Sequence, residues 1–83
     1  MDVSLPEVAR AVTALLDARP AGKALDPAEA ARRVAGTHWE EAMPAVRAVC
    51  AEMAARGEIV VTQRGLTVDP RTVRGTFHIK RAG

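Results

Sequence analysis

The sequence has no tyrosine and only one tryptophan, one phenylalanine and one cysteine among its 83 residues. With so few rings there is no stacking platform for single-stranded RNA or DNA, which needs several exposed aromatics along one groove. Trp39 and Phe77 both fall on apolar faces and are expected in the core. Cys50 has no second cysteine to bond within the chain, which agrees with a reducing compartment. His38, His78 and Cys50 do not have metal-ligand spacing, and no glycine-rich phosphate loop occurs, so no metal or cofactor is expected. No apolar run approaches the roughly 18 residues of a membrane span. The opening Met-Asp-Val-Ser-Leu-Pro lacks the basic and apolar regions of a secretion signal. The expectation is a cytoplasmic protein with no membrane partner.

What is present describes an ordinary folded domain. Apolar residues make up 48% and charged residues 27%, well away from the composition of a disordered chain. A chain of this length forms one domain, residues 1–83, and buries about 60 to 65% of its unfolded surface. The net charge is +2, but it is unevenly spread. Residues 1–56 hold seven Lys or Arg against eight Asp or Glu, a net of −1, whereas residues 57–83 hold five against two, a net of +3. A phosphate-rich partner would be drawn to the C-terminal third by Coulomb attraction.

The order of elements reads helix, helix, helix, strand, strand. Ser4 and Glu7 form a capping-box pair ahead of Val8, Val12, Leu15 and Leu16, predicting a helix over about 5–19. Lys23 to Leu25 fits a brief extended segment. Asp26, Pro27 and Glu29 then mark a second start, with a helix over 27–35 stopped by Gly36 in a left-handed conformation. Thr37 and Glu40 suggest another capping box, followed by an apolar stripe of Trp39, Met43, Val46, Val49, Cys50 and Met53 in a helix over 39–56. Pro44 predicts either a separate turn before it or a kink. Alternating residues in 58–63 and 76–80 predict a two-stranded hairpin with a long polar tip, residues 64–75, carrying three arginines. The fold expected is α+β, a winged helix-turn-helix: three helices followed by a two-stranded β-hairpin wing. Its core should hold Val8, Val12, Leu15, Leu16, Leu25, Val34, Trp39, Val46, Met53, Ile59, Val61, Phe77 and Ile79.

Four stretches carry a resemblance: Trp39-Glu-Glu-Ala-Met-Pro-Ala-Val-Arg47, Gly57-Glu-Ile-Val-Val-Thr-Gln-Arg-Gly65, Val68-Asp-Pro70 and Arg74-Gly75. Together they resemble a family of small stand-alone bacterial proteins classed as a domain of unknown function and regarded as winged-helix-like. The resemblance implies the fold and assigns no ligand. Thr76 and His78 stand where that pattern has proline and arginine, which lowers the basic character of the last strand.

A winged helix suggests two uses. The first is binding of double-stranded DNA, in a transcription-related role. The third helix is a poor reader of bases, because its outward residues are Glu40, Glu41, Pro44, Ala48, Ala51, Glu52 and Ala55, with Arg47 on the flank. Glutamates at a helix start also oppose an approaching phosphate. The wing is the better surface, and Arg47, Gln63, Arg64, Arg71, Arg74, Lys80 and Arg81 are the candidate contacts. The alternative is a protein-interaction or dimerisation module without nucleic-acid binding, seated on Glu41, Ala48, Ala51, Glu52 and Ala55. No catalytic residue is expected, since Cys50 lies on an apolar helix face and His78 points outward beside Lys80.

Overall fold

Ser4 accepts a hydrogen bond from the Glu7 backbone N–H at 3.2 Å and so caps helix α1, Leu5–Asp17. The computed structural model describes residues 3–82. Asp26 caps helix α2, Pro27–Ala35, by accepting from the Ala28 N–H at 2.9 Å, and Pro27 at the first position has no N–H to leave unpaired. Arg19 at the end of α1 donates to both carboxylate oxygens of Glu29 in α2, at 2.6 and 2.7 Å, and so ties the two helices together. Gly36 ends α2 with φ 56° and ψ −124°. The expected positive φ is present, but this ψ lies in a region open only to glycine and outside the left-handed helical well.

A single 3₁₀ turn, Gly36–His38, leads into α3, Trp39–Ala55. The capping box expected from Thr37 and Glu40 does not form, because His38 occupies the cap position and makes no side-chain cap hydrogen bond. Helix α3 runs through Pro44 without a break. The proline leaves the Glu40 carbonyl without its donor, but both residues are solvent-exposed and water can replace that bond.

The sheet is antiparallel and has three strands, not the two expected. Strand β1, Ile59–Gln63, lies between β2, Leu66–Thr67, and β3, His78–Arg81. Thr62 pairs with both Thr67 and His78, so β1 is hydrogen-bonded on its two edges. The long hairpin tip expected over 64–75 is absent. Instead Gln63 and Leu66 pair across a two-residue turn, Arg64-Gly65, with φ of 54° and 80° at its two positions. Those angles match the primed turn that suits the twist of a tight hairpin, and the first of the two residues is not glycine. Leu25, between α1 and α2, exchanges two backbone hydrogen bonds with Ile79, at 2.7 and 3.0 Å, and anchors β3 to the helices.

The core runs from Val8, Val12 and Leu16 through Leu25, Ala30 and Ala31 to Val46, Val49, Cys50 and Met53, and closes on Ile59, Val61, Phe77 and Ile79. Leu15, Val34 and Trp39, expected inside, are only partly buried. Each lies in the first or last turn of its helix, where neighbours cover one side only. Trp39 is instead covered by the Arg32 guanidinium, 4.7 Å from the ring centre.

Candidate nucleic-acid interface

Residues 68–77 decide the shape of the site. Asp69 accepts from the Arg71 N–H through its side chain at 2.9 Å and from the Val73 N–H through its carbonyl at 2.9 Å, which curls the chain into a closed turn. This turn folds back toward α3, where Arg47 donates from one guanidinium nitrogen to the carbonyls of Pro70 at 2.8 Å and Val73 at 2.9 Å. The same guanidinium lies 4.9 Å from the centre of the buried Phe77 ring. Arg47, expected at the DNA surface, is therefore half-buried and occupied with holding the loop.

The other expected contacts fall into two groups. Gln63 donates to the carbonyls of Arg74 at 2.6 Å and Thr76 at 3.1 Å, stitching β1 to the loop that leads into β3. Arg81 is paired with Asp17 of α1. Both side chains are thus engaged within the fold. Arg64, Arg71 and Arg74 are exposed, and among the described residues their guanidinium groups make no hydrogen bond or ion pair. Lys80 on β3 is half-buried and also unpaired among the described residues. Glu58 and Asp69, the two carboxylates of residues 57–83, are both in use: Glu58 pairs with Arg56 at 3.3 Å and Asp69 holds the turn. Arg64 also occupies a positive φ, a conformation that costs a residue with a Cβ about 1 to 2 kcal/mol and costs glycine nothing.

The alanine face expected on α3 is not continuous. Ala51, expected on the outward face, is buried at 8% exposure. It lies one turn beyond Arg47 on the face over which the 70–73 loop folds, so helical spacing places it under cover. Ala48 is half-buried, Ala55 is exposed, Glu52 pairs with Arg56 at 3.1 Å, and Glu41 lies 3.6 Å from His38. The exposed start of α3 carries Glu40 and Glu41.

Cys50 is fully buried, and desolvation pushes its thiol up from the ordinary 9.0 to about 12, against the opposing pull of the nearby Arg47 charge. Among the described residues no group of three His, Cys, Asp or Glu side chains is placed to hold a metal ion. No helix among them is long and apolar enough to cross a membrane.

The fold and this surface define a small α+β protein with an arginine-bearing sheet edge. The chain belongs to the family described as Protein of unknown function (DUF3253), whose pattern matches residues 6–82. No curated protein matches it.

Proposed function

We propose that this is a winged-helix protein that binds double-stranded DNA weakly and with little regard for sequence, in a transcription-related role. The order of elements supports the winged-helix reading. Leu25 supplies a short extended link between α1 and α2, the turn at 36–38 joins α2 to α3, and the antiparallel pair of β1 and β3 stands where the two long strands of a wing would be. The observation that carries the DNA reading is the selective freedom of three arginines. Arg19, Arg47, Arg56 and Arg81 are engaged by carboxylates or carbonyls, whereas Arg64, Arg71 and Arg74 have no partner among the described residues and lie on one segment whose two acidic side chains are already in use. Arg10 and Arg33 also have no partner among the described residues, but they flank a depression that includes Glu7, which cancels part of their field. The acidic start of α3 supports contact through the wing over base reading by the helix. A non-catalytic role is supported by the protonated, buried state of Cys50.

Two to three phosphates met by Arg64, Arg71 and Arg74 give a log affinity that falls against log salt with a slope of roughly −2 to −3. Anisotropy titration of a labelled duplex across a salt series measures it. Arg71→Ala should reduce the slope by about one. Absence of duplex binding at low salt would overturn the proposal.

A further inference from the structure

Arg64 and Arg74 are ten residues apart in sequence but line one open depression of about 640 Å³ beside the sheet. It is bounded by the β1–β2 turn on one side and by residues 74–78 on the other, with His78 and the hydroxyl-bearing Thr62 and Thr76 in its lining. None of the residues lining it is acidic. We propose that this depression is a seat for one phosphate ester, the phosphodiester of a nucleic-acid backbone, gripped by Arg64 and Arg74 together.

Three independent features point to it. The two cations are free of internal partners among the described residues, whereas Arg19, Arg47, Arg56 and Arg81 are engaged within the fold. The carbonyls of Arg74 and Thr76, which would repel an anion, each accept a hydrogen bond from Gln63, and this also fixes the wall that carries Arg74. Arg64 keeps a strained backbone at a position where glycine would rest without cost, which is expected where the side chain itself is needed. Two guanidinium forks converging on one oxyanion give a directional grip that scattered surface charge lacks. A depression of this size admits the sugars flanking a phosphodiester as well as the phosphate.

This seat deepens the wing reading and rests on it for the source of the phosphate, so the test has two arms. In the first, inorganic phosphate is titrated into the full chain and backbone amide shifts are followed by NMR. Saturable shifts at Gly65, Gly75 and His78, lost in the Arg64→Gly, Arg74→Ala double variant, are expected. Arg64→Gly suits the positive φ and keeps the turn folded. Absence of saturation, or shifts that survive in the double variant, would overturn the seat. In the second arm, duplex binding is compared for the two single variants and the double variant, with Arg71→Ala as the control outside the depression. Two side chains on one phosphate couple, so the double variant should lose about as much affinity as either single, on the order of tenfold, whereas Arg71→Ala should multiply with either. Fully multiplicative losses for Arg64 and Arg74 would overturn the shared grip. Phosphate binding without duplex binding would uphold the seat, refute the wing reading and assign the site to a free phosphate ester.

Discussion

Arg47 illustrates how a single side chain can be misjudged from its type. A lone arginine on the flank of a helix reads as a surface charge, yet here it holds two carbonyls of a loop more than twenty residues away and covers the Phe77 ring. Hydrogen bonds from a charged donor contribute about 1.5 to 3 kcal/mol each, and removing the donor leaves both carbonyls unpaired. Arg47→Ala should therefore destabilise the domain by about 3 kcal/mol and speed amide exchange across residues 70–77, as chemical denaturation and hydrogen exchange would show. A stability within about 0.5 kcal/mol of the parent would mean that the loop holds itself. Cys50 makes a second residue-scale prediction. Its pKa is raised from 9.0 to about 12 in the folded state, so its contribution to stability is complete below pH 9 and is lost as pH rises toward 12. The stability advantage of the parent over Cys50→Val, measured by denaturant titration, should accordingly shrink above about pH 9. An advantage that is constant or growing across that range would contradict the assignment.

At the scale of elements, α3 bears most of the consequences. It packs against α1, α2 and β1 and is crossed by the 70–73 loop, so its buried surface extends beyond one stripe and reaches Ala51 on the opposite side. The periodicity of Val46, Val49, Cys50 and Met53 reports only the part that faces the helices and sheet. Pro44 sits inside this helix at a position that removes one hydrogen bond. Replacing it with alanine restores the donor to the Glu40 carbonyl, and the gain outweighs the entropy that proline removes from the unfolded chain, about 0.4 to 1 kcal/mol. Pro44→Ala should raise stability by about 1 to 2 kcal/mol, visible as a higher melting temperature. A lower melting temperature would show that proline is better accommodated than alanine at this point. The sheet corrects the hairpin in a similar way. A two-residue β2 is too short for alternation to reveal, and it divides the expected tip into a tight turn bearing Arg64 and a separate loop bearing Arg71 and Arg74.

For the whole molecule, stability is small relative to any one large core residue. A domain of this length is held by about 4 to 12 kcal/mol in total. Phe77 is fully buried where Arg47, the loop and the sheet meet, and truncating a buried phenylalanine costs about 3 to 5 kcal/mol. Phe77→Ala should leave a population of unfolded chains at room temperature. Trp39, at the edge and under Arg32, should cost only about 1 to 2 kcal/mol on the same change. Thermal melts of the two variants test the contrast, and a larger loss for Trp39→Ala would move the centre of the core toward the start of α3.

The three helices, the caps at Ser4 and Asp26, the pairing of the two longer strands and the uneven charge of the chain are all legible in the order of residues. Each of these rests on residues within a turn or two of one another, or on totals that folding does not alter. Which of the charges are engaged within the fold depends on long-range contacts. The bonds from Arg47 to Pro70 and Val73, the pairing of Arg81 with Asp17 and the bonds of Gln63 to residues 74 and 76 join positions far apart in the chain, and no local spacing encodes them. Before folding, the arginines are equivalent in type. Afterwards, long-range hydrogen bonds engage Arg47 and Arg81 and leave Arg64 and Arg74 exposed beside one depression, because each donor satisfied inside the fold is withdrawn from the surface.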